Sequence, residues 1–525
     1  MMRKDWIEVE FKLLFSYVIG GDWGKSLDYV DDEYETVYCI RGAEFKNWKE
    51  EKGKTASLRK VKRNSLKKRE LAIGDILLEI SGGGPDQPVG RTVLIDNSVF
   101  LNLRNHKIIC TNFLRLLRPV NFLNSKWINT YLSFLYIAGK TIQYQGGSNN
   151  LRNLKYKQFQ TIRIPLAPLP EQRAVVVKVE QLFSELDNGI ANLEKAKEKL
   201  EIYRHAVLKK AFEGELTKEW RKKQTNVPSP VELLEQIKEE RLKHYENRLQ
   251  EWENAVKEWE EKGKAQRKPK KPRVLDTSVF SNYDKEFFTP KEWTVCQVAD
   301  VISDLTDYHA NGSYKVLKEN VTLSDSPDNA IMVRATNFEK DDFEKDLKYI
   351  NEHAYNFLSK SQLFGGEILI GKIGNAGKVY LMPKLNKKAS LAMNLFAIRT
   401  DLISSKFLYY QLKNFYQEKE ISFYVRGVGN PTIDKISVRS VHINLCSNEE
   451  QFQIVKEIET RLSVCDNILA NIDKGLEKAE ALRQSILKKA FEGRLLNKEE
   501  LQACRKESDW QPTEKLLSRI KKEKE

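Results

Sequence analysis

Between Glu51 and Glu70 the chain has no acidic residue but nine basic ones: Lys52, Lys54, Arg59, Lys60, Lys62, Arg63, Lys67, Lys68 and Arg69. Thr55, Ser57 and Ser65 are interleaved as further donors. Cations and hydroxyls at this density suit phosphate binding. Each contact releases a condensed counterion, and such contacts hold a protein on a duplex without reading its sequence. Reading needs other side chains. Gln143, Gln145, Asn149 and Asn150 carry amides that can pair with adenine edges, and Arg41 and Arg334 carry the fork that pairs with guanine. A sparser basic set, Lys372, Lys378, Lys387, Lys388 and Arg426, surrounds Gly-rich turns, where backbone can approach a duplex closely. The competing reading of each is a solvated face or a loop kept polar for solubility. A net charge of +14 and a pI near 9.1 favour a polyanionic partner.

Motifs of catalysis are missing beside this signal. There is no H-E-x-x-H and no zinc-ligand spacing. GDWGKS (21–26) contains Gly-Lys-Ser, but Ile19 stands where a P-loop needs its first Gly, and no long helix follows. GKIGNAGK (371–378) has the wrong spacing and continues into Val379. GGG (82–84) is followed by Pro85, which suits a tight turn rather than a cofactor loop. GNPT (429–432) lacks the second Pro and the aromatic of the Asn-Pro-Pro-aromatic motif of adenine methyltransferases. No G-x-S-x-G occurs, and the six histidines are dispersed. Six scattered cysteines without C-x-x-C point to a reducing compartment. Phe11–Ile19 contains Lys12 and lacks a signal-peptide cleavage site, and no apolar run is long enough to span a membrane. The expectation is a non-catalytic, cytoplasmic protein that binds no metal or cofactor of its own.

What must position the reading residues is a repeat. Glu171–Leu216 recurs at Glu450–Leu495 without a gap, at an offset of 279, with roughly half the positions identical. LKKAFEG occurs in both copies, starting at Leu208 and at Leu487. Val176, Val179, Phe183, Leu186, Ile190 and Leu193 step by three and four, as do Val455, Ile458, Leu462, Cys465, Leu469, Ile472, Leu476 and Ala479. That is a coiled-coil seam. Pro170 suits a first helical turn, Ser447 to Glu450 fits a capping box, and Gly214 and Gly493 suit left-handed C-caps. The two helices, each about 60 Å long at 1.5 Å per residue, are expected to pair antiparallel as a rod.

The regions before the helices echo one another more faintly. CIRGAEF (39–45) matches MVRATNF (332–338), GDILLEI (74–80) matches GEILIGK (366–372), and YQGGSNN (144–150) answers YVRGVGN (424–430). Trp6 and Trp293 stand near the two starts. Strands are expected at 34–42 and 75–81, and a helix at 125–137 capped by Ser125. After the first rod, Ser229 opens another helix with a heptad seam of Leu242, Tyr245, Leu249, Trp252, Val256 and Trp259, followed by a basic RKPKKPR run (267–273) read as a solvated linker. The fold class is α+β: two globules alternate with two long helices in a pseudo-twofold repeat. The divisions are 1–168, a first globule; 169–216, a long helix; 217–277, a connector; 278–446, a second globule; 447–496, a long helix; and 497–525, a helical tail. The helices stayed alike while the globules diverged, so the helices share a task and the globules differ in theirs.

This pattern resembles the specificity subunit of type I restriction–modification systems. The resemblance is carried by PLAPLPEQRAVVVKVEQLF (165–183), LDNGIANL (186–193), LKKAFEGEL (208–216), their second copies, and the Trp and GDIL/GEIL segments of each globule. The second helix start, NLCSNEEQ (444–451), departs by lacking the prolines. The resemblance implies that each globule is a target recognition domain for half of a split double-stranded DNA site. It implies that the paired helices set the spacer and dock two adenine-N6 methyltransferase subunits, which restriction subunits join. S-adenosylmethionine, ATP and Mg would then belong to those partners. The competing readings are a stand-alone DNA-binding regulator, a methyltransferase with degenerate motifs, and a coiled-coil scaffold.

Overall fold

A computed structural model describes residues 3–84, 87–104, 106–148, 151–225, 228–264, 268–272, 290–427 and 429–524. The chain divides into two compact units, Met1–Lys195 with Ile472–Glu525, and Ala196–Asn471. Each unit therefore holds one globular head, the first part of one long helix and the last part of the other.

In the first unit the head begins on the strand Ile7–Glu10, which pairs antiparallel with Arg163–Leu166, the strand that feeds the first long helix. A four-stranded antiparallel sheet follows in the order 15–20, 114–119, 76–79, 92–94. A three-stranded sheet has the order 57–62, 34–40, 108–110, and its last two strands are parallel. The GDIL strand, Ile76–Glu79, is buried on both faces. Leu77 turns into a core shared with Ile40, Ile108 and Leu114. Ile76 and Leu78 turn the other way, toward Trp127 and Leu132 of the helix Ser125–Ile137. That helix has the expected bounds, but its cap is Asn124, whose side chain accepts from the Trp127 amide at 3.1 Å. Ser125 is its first residue.

The second head repeats the plan. Thr294–Gln297 pairs with His442–Leu445 ahead of the second long helix. The antiparallel sheet has the order 304–307, 395–399, 368–371, 379–381, and the mixed sheet the order 349–350, 330–333, 388–391, 362–363, with 330–333 and 388–391 parallel. The GEIL strand alternates likewise: Ile368 and Ile370 face Phe407 and Leu412 of the helix Ser405–Gln417, while Leu369 faces Ile331 and Leu391.

The long helices run Leu169–Phe212 and Asn448–Phe491, 44 residues each. They pair antiparallel as a coiled coil. In the first unit Asp187 pairs with Arg483, and Leu193 packs on Gly475. In the second unit Arg204 pairs with Asp466 at 2.8 Å. Asp187 and Asp466 are repeat equivalents, as are Arg204 and Arg483, so each helix gives its Asp to one pair and its Arg to the other. Both helices end in the same C-cap. Gly214 and Gly493 have φ of +76° and +70°. The Glu215 amide donates to the Lys210 carbonyl at 2.9 Å and the Arg494 amide to the Lys489 carbonyl at 2.8 Å, the long bond of a Schellman motif. Ser447 caps the second helix by accepting from the Glu450 amide. The Glu450 carboxylate does not complete the expected box, because it is engaged elsewhere.

The repeated motifs fix heads to helices. Glu171 and Glu450 are buried and accept from the indoles of Trp6 at 2.9 Å and Trp293 at 3.0 Å. Gln172 and Gln451, also buried, accept from the backbone at the starts of the head helices: Asn124 N–H at 3.4 Å and Ser404 N–H at 3.0 Å. Phe491 packs among Trp127, Tyr131 and Phe134, with ring centroids 4.9, 4.9 and 5.8 Å away. Phe212 meets Phe407 at 5.6 Å. So the E-Q start of one helix and the A-F-E-G end of the other grip the same head. The segments after each helix join that grip: Leu233 and Ile237 in the second unit, Leu516 and Ile520 in the first.

The connector helix, Pro230–Glu261, opens after Ser229 as expected, on a Ser229–Glu232 capping box. Beyond it Lys268 lies 5.8 Å from the Trp259 ring, Lys271 lies 5.6 Å from the Trp252 ring, and the Trp252 indole donates to the Pro269 carbonyl at 3.0 Å. The described part of the basic run therefore packs on the helix seam instead of lying free as a solvated linker. All six cysteines are buried free thiols. Among the described residues no helix is long and apolar enough to cross a membrane.

Candidate nucleic-acid interface

The basic run forms an edge strand, Ser57–Lys62, and a short helix, Arg63–Arg69. An edge strand rich in cations also discourages edge-to-edge pairing, so its charges have a structural use beside any functional one. Several are already engaged. Lys52 pairs with Asp96 at 2.6 Å and Lys62 with Glu33 at 2.7 Å. Arg59 stacks on Trp23 at 4.2 Å and donates to its carbonyl. Arg69 donates to the Gly20 carbonyl at 2.9 Å and to Ser65 Oγ at 2.8 Å. Lys60 is half-buried in the edge strand. Arg63, Lys67 and Lys68 are exposed and form no ion pair among the described residues. The exposed, unpaired cations named here therefore lie at the helical end of the run. A K67Q/K68Q variant should weaken duplex binding and lower the slope of log K against log salt by up to about 1.8, or about 0.9 for each lost phosphate contact. An unchanged slope in a salt titration would assign these lysines to solubility.

The forked side chains picked out for base reading are tied into the fold. Arg41 follows the strand Tyr34–Ile40 and donates twice to Oε1 of the buried Glu44, at 2.9 Å from Nε and 2.5 Å from Nη2. Arg334 holds the matching place after the strand Ala330–Val333 and donates to the Asp346 carbonyl at 3.2 Å. Its Nε is buried with no hydrogen-bond partner. Lys372 pairs with the buried Asp307 at 2.9 Å, as does Lys435. Burial pushes the Asp307 carboxyl up, but Lys435 and Lys372 outweigh it and hold it below its ordinary value. Lys378 pairs with Glu339 at 3.0 Å. Arg426 is 79 % exposed, with Asp434 at 3.7 Å. Gln143 is exposed and donates to the Lys140 carbonyl, whereas the Gln145 amide is buried with no hydrogen-bond partner. Asn149 and Asn150 lie outside the described residues.

Each head carries a cleft at the C-terminal ends of its parallel strand pair. The first, about 650 Å³, is lined by Trp23, Arg41, Gln87, Arg91, Asn112 and Phe113, among others. The second, about 410 Å³, is lined by Tyr308, Arg334, Ile373, Asn375, Met393 and Asn394, among others. The clefts share a backbone frame. The Thr111 amide donates to the Ile40 carbonyl at 2.9 Å, and the Ala392 amide to the Val333 carbonyl at 3.0 Å. The Ile80 amide donates to the Phe113 carbonyl at 2.9 Å, and the Lys372 amide to the Asn394 carbonyl at 2.8 Å. The next segment docks alike, with Leu154 N–H on the Ile80 carbonyl at 2.8 Å and Ile433 N–H on the Lys372 carbonyl at 3.1 Å.

That register identifies residues the sequence reading passed over. Asn112 and Phe113 form the centre of a turn between two buried strands, and Met393 and Asn394 form its equivalent. All four are exposed, Phe113 at 48 % and Met393 at 46 %. The available signal was a bulky apolar residue inside a short polar break between apolar strands.

A family model described as the type I restriction modification DNA specificity domain matches residues 4–200 and 290–478. The EcoBI specificity subunit, from a type I restriction enzyme of Escherichia coli, is 23% identical over 352 residues, 66% of this chain and 61% of that one. The chain thus spans less than two thirds of that relative's length. The StySPI specificity subunit of Salmonella potsdam is 22% identical over 482 residues, 90% of this chain and 84% of that one. Among solved structures, one from work on assembly and conformational transition of the type I R-M system aligns at a TM-score of 0.60 with 15% identity, covering 94% of this chain and 100% of that one. The HsdS subunit of Thermoanaerobacter tengcongensis aligns at 0.51 with 15% identity, covering 94% and 98%. At such identity the structural matches speak to the fold.

Proposed function

The chain belongs to the type I restriction modification DNA specificity family, and on that premise we propose that it is the sequence-reading subunit of a type I complex. The heads, 1–168 and 278–446, each read one half of a bipartite, asymmetric DNA site. The paired helices set the spacer and dock two adenine-N6 methyltransferase subunits, and restriction subunits join that assembly. S-adenosylmethionine, ATP and Mg serve the partners. The chain itself supplies recognition and geometry.

One observation carries this reading. Two heads with the same backbone frame and different exposed side chains are gripped by the same residues: Trp6, Glu171, Gln172 and Phe491 in one unit, Trp293, Glu450, Gln451 and Phe212 in the other. A scaffold that presents two unlike surfaces in like fashion is what an asymmetric split target requires. Two copies of one methyltransferase need equivalent docking surfaces, and the repeated helices offer them. Lys67, Lys68 and Arg426 would contribute phosphate contacts.

The test is co-expression with the methyltransferase subunit encoded beside this chain, followed by mapping of N6-methyladenine across the host DNA. A split motif with one methylated adenine on each strand is the expected result. If no new motif appears and the chain still binds a specific DNA alone, it is a stand-alone regulator instead.

A further inference from the structure

We infer that the two-residue turns Asn112–Phe113 and Met393–Asn394 read bases, one in each half-site. The inference rests on the DNA-reading role proposed above and locates the reading within each head.

Both turns are held by the same backbone bonds. Leu114 N–H closes one on the Thr111 carbonyl at 2.9 Å, and Leu395 N–H closes the other on the Ala392 carbonyl at 3.4 Å. Their flanks are buried: Cys110 and Leu114 on one, Leu391 and Leu395 on the other. The central residues can therefore vary without disturbing the core, while their position stays fixed by two strands. A reading element needs that combination of fixed backbone and free side chain.

The side chains also have the right chemistry. An amide can pair bidentate with adenine N6 and N7, and an apolar side chain can rest on a thymine methyl. Each turn offers one of each, in opposite order: amide then ring in the first head, thioether then amide in the second. Neither Asn112 nor Asn394 side chain has a hydrogen-bond partner among the described residues. Phe113 is 48 % exposed and Met393 46 %, so about half of each apolar side chain is open at its turn. Arg41, by contrast, already spends Nε and Nη2 on the buried Glu44 carboxylate, so an Nε/Nη2 fork on a guanine would have to give up that pair. The arginine anchors the frame, and the turn next to it meets the bases.

The test uses the full chain with its methyltransferase subunit. Asn112→Met/Phe113→Asn should change or relax the half-site read by the first head and leave the other half and the spacer as they were. Met393→Asn/Asn394→Phe should do the converse. In competition binding, the discrimination lost at one base position should be about 10- to 100-fold, the range of one good base contact. Asn112→Ala and Phe113→Ala, which only trim exposed side chains, keep the test open should a swap impair folding.

A wild-type split motif that survives both swaps and both alanine variants with discrimination unchanged overturns the inference while leaving the proposed function standing. So does an equal loss of affinity for every sequence, which would mark the turns as positioning elements. Absence of any split motif with the wild-type chain is a different failure, that of the proposed function.

Discussion

Glu450→Ala should destabilise the unit that contains it by about 3–5 kcal/mol, the cost of breaking a buried ion pair from one side. Its carboxylate is buried and takes three donors: Trp293 Nε1 at 3.0 Å, Thr217 Oγ1 at 2.7 Å and Arg221 Nη1 at 2.5 Å. Arg221 is itself only 13 % exposed, so the variant strands a charge as well as an indole and a hydroxyl. The repeat supplies the control. Glu171 accepts from Trp6, but Arg3 lies farther off at 3.5 Å and Glu171 Oε1 has no hydrogen-bond partner. Glu171→Ala should cost less, about 2 kcal/mol, the loss of a buried hydrogen bond to a charged group. Hydrogen exchange resolved by peptide reads each unit separately. Glu450→Ala should speed exchange around Trp293 and Leu445 by about two to three and a half powers of ten, at about 1.4 kcal/mol per power, and leave the strand Ile7–Glu10 protected. Protection around Trp293 that falls by less than tenfold would mean that the Glu450 cluster is not what holds this head to its helix.

The sequence displayed the grip without explaining it. E-Q and L-K-K-A-F-E-G were visible as repeated words because they are local strings. Their purpose was hidden because each helix start acts together with the end of the other helix, more than 200 residues away, as with Asn444 Nδ2 donating to the Phe212 carbonyl. Periodicity located the coiled coil and the helix Ser125–Ile137, since both are amphipathic over several turns. It could not choose between Asn124 and Ser125 as cap, two adjacent residues of equal capping ability.

The candidate site was harder to find, and for a physical reason. Charge is easy to see in a sequence, but its availability is not. Arg59, Arg69 and Lys372 were picked for charge and turn out to be bound to Trp23, Gly20 and Asp307. Arg41 lies three residues before Glu44, a spacing that in retrospect marks a helix-start pair. Asn112 and Phe113 carry no charge and no motif. Only the equivalence of backbone bonds between the heads brings them out.

Lengthening both long helices by one heptad at facing positions should move the two half-sites apart without altering either. Leu193 faces Gly475, so insertions beside these residues keep the helices in register. Seven residues add about 10 Å at 1.5 Å per residue, close to three base-pair steps at about 3.4 Å each. They also preserve the seam, because a heptad advances a helix by nearly two full turns, with a drift of only about 20°. Three base pairs, however, turn B-DNA by roughly 100° at about 10.5 base pairs per turn, so the heads would meet grooves displaced around the duplex axis. Either the methylated motif reappears with a spacer about three base pairs longer, or recognition is abolished because DNA cannot twist far enough to present both halves. Insertion in one helix alone should be worse than in both, since it slides Asp187 and Arg483 out of register with Arg204 and Asp466. The decisive readout is the methylated motif of the double insertion: a full-strength motif with the original spacer would show that the helices join the heads without measuring the distance between them.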